Sequence, residues 1–262
     1  MVKCYTKHII KNQKLELLII KMTKILFIPI TKLFVIGLLY LLVGNVSLFG
    51  ATKTASVTGN WSSTTTWGGQ AVPTSADAVV INDNVNVTVD IAASCLSLTI
   101  NDGGNVTSVL ISGTNSLTIT NAISIGAGTG KNDNKFIAVD AGTMSCSSVT
   151  MSNPSNQNRD SYIRISSGTA TVSGNITMNG AKNRNQIVFT DAGTLNIGGT
   201  ISGGTISNTA GSAATLTRGT VNFNGSVAQT IPNNSYNFYN VTVSNTNAGG
   251  AVLEQMLPQQ IL

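Results

Sequence analysis

The sequence predicts an all-β fold, a right-handed parallel β-helix (β-solenoid) of about 25-26 residues per coil with three short strands in each coil. Two observations predict it: a Gly-Thr dipeptide that recurs five times, and apolar pairs that keep a constant position relative to it. A fixed period of this length indicates a solenoid, in which each repeat buries its apolar face against its neighbours. The steps between dipeptides are 29, 26, 25 and 26 residues, and the glycines are Gly113, Gly142, Gly168, Gly193 and Gly219.

Three strands per coil are predicted because three apolar pairs accompany each glycine. Residues two apart point to the same face of a strand, so each pair marks a short strand with one buried face. A β-sandwich is the alternative, since it also contains short strands with regular turns, but it gives no reason for a fixed period. The pairs are, before the glycine, Ile137 with Val139, Ile163 with Ile165, and Val188 with Thr190; directly after it, Leu117 with Ile119, Met144 with Cys146, Ala170 with Val172, Leu195 with Ile197, and Val221 with Phe223; and after a short break, Ile123 with Ile125, Val149 with Met151, Ile176 with Met178, and Ile201.

Polar segments rich in Asn, Gly, Lys and Arg connect the third strand of one coil to the first strand of the next. In solenoids, insertions of this kind collect on one face, which is often the binding face. Solvated corner loops are the favoured interpretation, and the alternative is a binding face on which Arg159, Lys182 and Arg184 meet acidic glycans. The segments cover residues 126–135, 153–161 and 180–186.

The first 50 residues have the composition of a secretory signal peptide. A basic region ends at Lys32, an apolar run covers residues 33–43, and small residues follow. The basic region is long if translation begins at Met1, whereas Met22 would begin an ordinary one. The alternative is an uncleaved membrane anchor, for which the run is shorter than the roughly 20 apolar residues of a spanning helix. We therefore expect cleavage after residue 50 and a secreted or outer cell-surface protein.

From residue 51 onward the chain is almost uncharged. The net charge of +5 comes from the leader, because the remaining residues hold 8 basic and 9 acidic side chains. This balance argues against the basic surface that nucleic-acid binding requires. Charged residues are 10% of the chain, against about 25% in ordinary globular domains, so solubility depends on Ser, Thr and Asn.

A tryptophan-containing segment precedes the repeats and carries a family resemblance. It runs from GNWSSTTTWGGQAVPTSADAVVI (59–81) into VNVTVDIAASCLSLTI (85–100), and AQTIPNNSYNFYNVTVSN follows at 228–245. These motifs resemble repeat-rich secreted bacterial surface proteins, in which a Trp-containing cap leads into a right-handed parallel β-helix. The resemblance implies an adhesin-like role, with surface glycans or proteins of a host or neighbouring cell as partners. The matching residues are Trp61, Trp67, Val72, Pro73, Asp77, Val79 and Ile81.

The two ends of the predicted β-helix, which covers residues 51–250, differ. Trp61 and Trp67 either cover the open end of the first coil or stack on sugar rings. Residues 251–262 lose the alternation and offer no polar cap of the kind that terminal repeats need. We therefore expect a truncated end and an N-terminal fragment of a larger protein.

Groups that could carry catalysis or bind metal are scarce. The only histidine, His8, lies in the leader, which argues against Ser-His-Asp catalysis and histidine metal sites. Asp140 and Asp191 would share a column two coils apart, at about 9.6 Å, the wide limit for inverting glycosidases. The Asn-Asp-Asn triplets at 82–84 and 132–134 lack the spacing of a calcium loop, so turn chemistry is favoured for both triplets and both aspartates. No cofactor is predicted.

The body of the chain has two cysteines, Cys95 and Cys146. Cys146 takes the position that Val172 and Ile197 take in later coils, so it is expected to be a small buried apolar residue. A disulfide between the two cysteines would suit an oxidising compartment, but the repeat does not require one.

The sequence thus predicts a non-enzymatic β-helix segment that serves in adhesion or as a structural stalk. The alternative is a β-helix that binds or cleaves polysaccharide. A flat threonine face that orders water is a third idea, which a single threonine column after the glycines supports weakly.

Overall fold

The structure is a computed structural model, and it describes Glu16 and residues 50–129, 133–154, 160–180, 184–208, 219–232, 236 and 238–253. The chain divides into two compact units, residues 1–49 and 50–262. Only Glu16, helical and exposed, is described in the first unit, so the predicted signal peptide and the start at Met22 lie outside the described residues. Among the described residues, no helix is long and apolar enough to cross a membrane.

The described part of the second unit forms 23 short strands and one 3-10 helix, Thr64–Trp67. The strands are β1 (Thr52–Ala55), β2 (Gly59–Asn60), β3 (Ala78–Ile81), β4 (Asn86–Val89), β5 (Ala93–Cys95), β6 (Ser97–Ile100), β7 (Thr107–Ile111), β8 (Ser116–Ile119), β9 (Ala122–Ile125), β10 (Lys135–Val139), β11 (Thr143–Cys146), β12 (Ser148–Met151), β13 (Ser161–Ile165), β14 (Thr169–Val172), β15 (Ile176–Met178), β16 (Asn185–Phe189), β17 (Thr194–Ile197), β18 (Ile201–Gly203), β19 (Thr205–Asn208), β20 (Thr220–Phe223), β21 (Gln229–Ile231), β22 (Asn240–Val243) and β23 (Ala251–Leu253).

Three seven-stranded parallel sheets make up the solenoid. We call them sheet A (β1-β3-β6-β9-β12-β15-β18), sheet B (β2-β4-β7-β10-β13-β16-β19) and sheet C (β5-β8-β11-β14-β17-β20-β22). Each coil from β3 to β20 contributes one strand to each sheet, so strands adjacent in a sheet lie about one repeat apart in sequence. The predicted parallel β-solenoid with three strands per coil is confirmed. The sandwich alternative is wrong, because every strand pair in the described residues is parallel and consecutive strands belong to different sheets.

The core is a stack of apolar columns inside the three sheets. The register aligns Ile137 with Ile163 and Met144 with Ala170, so each predicted pair stacks on its counterpart in the next coil. These side chains are at most 1% exposed. Stacking of coils therefore buries the inner face of these short strands, which no single strand could bury alone.

One predicted strand is wrong by one residue. Val188 and Thr190 were expected to point inward, but the inward residues of β16 are Ile187 and Phe189, which pair with Ile163 and Ile165. The corner that follows β16 is one residue longer than the corner that follows β13, so counting back from Gly193 gives the wrong face. This places Val188 on the outer surface.

The last described coil exposes part of its inner face. Val241 and Val243 in β22 align with the buried Val221 and Phe223 of β20, yet they are 42% and 51% exposed. A short strand, β23, does form within the predicted truncated end and pairs with β21, and residues 254–262 lie outside the described residues.

Candidate functional site

The outer faces of the three sheets differ in chemistry. In β6, β9, β12 and β15 of sheet A, and in β8, β11, β14, β17 and β20 of sheet C, the outward side chains are almost all Ser, Thr or Asn, and none is charged. Sheet C carries two such columns: threonine dominates the one that follows the glycines, as expected, and the other mixes Thr, Ser and Asn. The columns are Ser116, Thr143, Thr169, Thr194 and Thr220, and beside them Thr118, Ser145, Thr171, Asn196 and Asn222.

Sheet B instead carries aromatic, cationic and amide side chains on its outer face. They enclose a shallow groove of about 250 Å³ that lies across the outward side of β13 and β16. Because outward residues alternate with core residues, the same two strands that fill the core also fix the groove. The groove is lined by Asn134, Asp160, Tyr162, Arg164, Gln186 and Val188.

The ring of Tyr162 forms one wall of the groove. Phe136 of the preceding coil stacks on one side of it, with ring centroids 4.8 Å apart and an interplanar angle of 2°. The next coil aligns Gln186 with Tyr162, on the groove side. Packing against Phe136 therefore holds the Tyr162 ring in one orientation before any ligand arrives. Burial raises the pKa of the Tyr162 hydroxyl, although Arg164 opposes this shift, so the hydroxyl remains a hydrogen-bond donor at neutral pH.

Two ion pairs position the charged groups of the groove. Nη2 of Arg164 lies 3.2 Å from Oδ1 of Asp140, and Nη1 of Arg184 lies 3.9 Å from Oδ1 of Asp160. Burial raises the pKa of the Asp160 carboxyl, while the nearby Arg184 opposes the rise. The groove thus combines an apolar wall, guanidinium donors, amides and a carboxylate acceptor, which is the set of groups that hydrogen-bonds hydroxyl-rich ligands.

Of the three cationic loop residues predicted to contact glycans, only Arg184 lies within the described residues. Arg184 lies next to β16, and its partner Asp160 lines the groove, so this cation is at the edge of the site. Arg159 and Lys182 lie outside the described residues, together with their immediate neighbours in residues 155–159 and 181–183. All three belong to segments that lead into sheet B, the sheet that carries the groove.

Trp61 and Trp67 are core residues, not ligand-stacking residues, in the structure. They are 0% and 1% exposed and meet edge to face, with ring centroids 5.0 Å apart. Nε1 of Trp67 donates a hydrogen bond of 2.8 Å to the carbonyl oxygen of Trp61. Their role as a possible sugar platform is therefore corrected, because a ring with no exposed face cannot stack on a ligand. Their burial beside β2 is consistent with the other expectation, that they cover the open end of the first coil.

The carboxylate column is also corrected. Asp140 directly follows Val139, whose partners along sheet B are Ile165 and Phe189, so the residues level with Asp140 are Ser166 and Thr190. Asp191 lies one residue further on, and its carboxylate accepts the backbone N–H of Ala192 at 2.8 Å. The two aspartates therefore do not share a column.

The Asn-Asp-Asn triplets are engaged in the fold where they are described. Asp83 contacts the buried Lys135, and Asn84 adopts a left-handed φ of 63°. Asn134 accepts the backbone N–H of Asp160 at 3.3 Å. No group of three or more Cys, Asp, Glu or His side chains that could hold a metal occurs within the described ranges.

The cysteines are separate buried thiols. Cys95 and Cys146 are free. They belong to β5 and β11, which lie on opposite sides of β8 in sheet C, so two strand steps of about 4.8 Å separate them. That separation exceeds the roughly 7 Å limit between the Cα atoms of a disulfide. Burial raises the pKa of each thiol to about 12.

We expect neither Cys95 nor Cys146 to react with iodoacetamide at pH 8 in the folded protein. Both are at most 5% exposed and remain protonated at that pH, whereas the thiolate is the nucleophile. Peptide mapping after alkylation measures this, and the same reaction in guanidinium chloride should label both. Labelling of either cysteine in the folded protein would contradict the buried columns.

The sequence identified only half of the groove. The predicted polar segments contain Asn134, Asp160 and Gln186, but Tyr162, Arg164 and Val188 were not placed on the same surface. The signal was present in the alternation of β13, where Tyr162 and Arg164 fall between core isoleucines. Because the predicted register of β16 was wrong by one residue, Gln186 and Val188 were not recognised as the outward neighbours of Tyr162 and Arg164.

No family model, curated protein or solved structure matches this chain. The resemblance to secreted bacterial surface proteins therefore stays a prediction from the motifs.

Proposed function

We propose that this protein is a secreted or cell-surface, non-enzymatic β-solenoid that adheres to glycans through the groove on sheet B. The observation that carries the proposal is the contrast between the sheets. Two outer faces present uncharged hydroxyl and amide groups, while the third concentrates Tyr162, Arg164 and Gln186 around one depression. Binding proteins place a few polar groups beside an apolar surface to orient a ligand, and this groove has that composition.

The size of the groove favours one unit of a polymer as its ligand. At about 250 Å³ and open to solvent, it is smaller than the roughly 300–1,000 Å³ of pockets for drug-sized ligands. A single sugar ring could place its apolar face on Tyr162 and its hydroxyls toward Arg164, Gln186 and Asp160. Because both cations in the site already face a carboxylate, the groove suits a neutral or mildly acidic sugar.

A glycan array probed with the full chain tests the proposal. We expect binding to a restricted set of glycans, and Tyr162→Ala should weaken it about tenfold, which corresponds to roughly 1.4 kcal/mol. Arg164→Ala and Arg184→Ala should weaken it as well. The matched control is Thr150→Ala on the outer face of sheet A, which should bind as the unchanged protein does.

Circular dichroism of each variant separates loss of binding from loss of fold. Equal binding by Tyr162→Ala and the unchanged chain would refute the groove as the site. A folded chain that binds no glycan would favour a stalk over an adhesion module.

A further inference from the structure

Sheet B contains an internal column of polar residues where its strands begin. These residues point into the solenoid, and each is 0% exposed. A buried ammonium is costly unless other groups compensate its charge, so the lysine in this column needs a specific reason. The column consists of Thr107, Lys135, Ser161 and Asn185.

Lys135 is surrounded by three oxygen acceptors. Its Nζ contacts Oδ1 of Asp83, lies 2.5 Å from the backbone carbonyl oxygen of Asn105, and lies 3.1 Å from Oγ1 of Thr107. Asn105 and Thr107 come from the coil that precedes Lys135, and Asp83 comes from the coil before that one. The amine is thus fixed in position against a neighbouring coil and closed off from solvent.

Asp83 links this amine to a side-chain amide. While its Oδ1 meets Lys135, its Oδ2 accepts a hydrogen bond of 2.8 Å from Nδ2 of Asn105. The backbone N–H groups of Gly104 and Asn105 also donate to the carboxylate, at 3.1 and 3.2 Å, and hold it in place. One carboxylate therefore touches both the nucleophile and the nitrogen that would leave in an amide exchange.

We propose that Lys135 and Asn105 form an intramolecular isopeptide bond, with Asp83 as the group that moves the protons. This modification is independent of glycan binding by the groove. It needs only one turnover per molecule, and it depends on the proximity that folding creates. A carboxylate facing a cation is a poor acyl donor, so the acyl group comes from the amide of Asn105 and not from Asp83.

The reaction balances without a further reactant. Asp83 accepts a proton from the Lys135 ammonium, and the free amine attacks the side-chain carbonyl carbon of Asn105. The bond from that carbon to Nδ2 breaks. The leaving nitrogen takes an amine hydrogen and the proton that Asp83 returns, and departs as an ammonium ion. The products are an amide between the two side chains, one ammonium ion and the original carboxylate.

The bond would join two consecutive coils beside the groove. Asn105 leads into β7 and Lys135 begins β10, so the link would close a loop where these two central strands of sheet B begin. A covalent cross-link that closes a loop stabilises the folded protein because it reduces the conformational entropy of the unfolded chain, as a disulfide does. It would serve a chain whose two body cysteines cannot pair.

Tryptic mapping of the full chain, purified and denatured, tests the proposal. Trypsin cuts after Lys53, Lys131, Lys135 and Arg159 in an unmodified chain. We expect instead a branched species in which residues 54–131 are joined to residues 132–159, uncut after Lys135 and lighter than its parts by one ammonia. Because the readout is on the unchanged protein, it does not depend on a variant that folds.

Variants then assign the roles. Lys135→Arg, Asn105→Ala and Asp83→Ala should each abolish the branched species, while Lys53→Arg, at a lysine outside the cluster, should retain it. Recovery of the separate peptides with unaltered masses from the unchanged protein would overturn the proposal. So would a branched species that has lost water and maps to Asp83, or one that persists in Asp83→Ala.

Discussion

Replacing Gly168 by alanine is expected to destabilise the solenoid by about 3 kcal/mol or more, the range of severe overpacking. A Cβ at this position would lie less than 3.0 Å from the carbonyl oxygen of Gly142 and from Cγ1 of Val139. That oxygen cannot retreat, because it accepts the backbone N–H of Thr169 at 3.0 Å and so holds the two coils together. The glycine is therefore required for close stacking of backbones.

Gly113→Ala is the matched control for this prediction. Gly113 belongs to the same repeat motif, but it has a φ of 55° and nothing within 4 Å of the Cβ that alanine would add. Its substitution should cost only about 1 kcal/mol, the price of a left-handed backbone in a residue with a Cβ. Urea denaturation followed by circular dichroism measures both. Equal losses of stability would show that backbone conformation and not coil stacking explains the repeated glycine.

The period of the glycines was sufficient to predict the solenoid, because a stacked coil must bring equivalent residues to equivalent places. It also assigned nearly all the core columns. It failed at β16, where Ile187, Val188 and Phe189 are all apolar, so alternation alone does not say which face is buried. The corner between β16 and β17 is one residue longer than in the preceding coil, so positions counted back from Gly193 fall one residue away from the true core positions.

The groove and the Lys135 cluster could not be predicted in the same way. Both depend on which side chains of different coils lie side by side, and that follows from the register of sheet B rather than from any local pattern. The sequence pattern places Lys135 at the end of the polar segment 126–135, and lysine is a residue type that is rarely buried. The buried position appears only once Asp83 and Asn105, from the two coils before it, are placed around it.

The second large loss of stability is expected from truncating a buried tryptophan in the first coil. Trp67→Ala is expected to lower the free energy of unfolding by about 3–5 kcal/mol, the cost of truncating a buried tryptophan. The side chain is 1% exposed, packs edge to face on Trp61, and ends the 3-10 helix Thr64–Trp67 that lies at the first coil. Its removal leaves a cavity in the first coil and exposes Trp61, where the solenoid has a coil on one side only.

Trp67→Phe separates packing from hydrogen bonding at this position. Phenylalanine keeps an aromatic ring against Trp61 but cannot donate to its carbonyl oxygen, so the loss should fall to about 1–2 kcal/mol. Guanidinium denaturation measures the free energy of unfolding of the two variants and shows which is less stable. The glycan array measures whether each variant still binds its ligand. Because the indoles are buried, Trp67→Phe should leave glycan binding unchanged at temperatures where it is folded. A Trp67→Ala variant that is as stable as the unchanged chain but no longer binds glycans would show that the tryptophans contact the ligand. That result would also refute the groove on sheet B as the binding site.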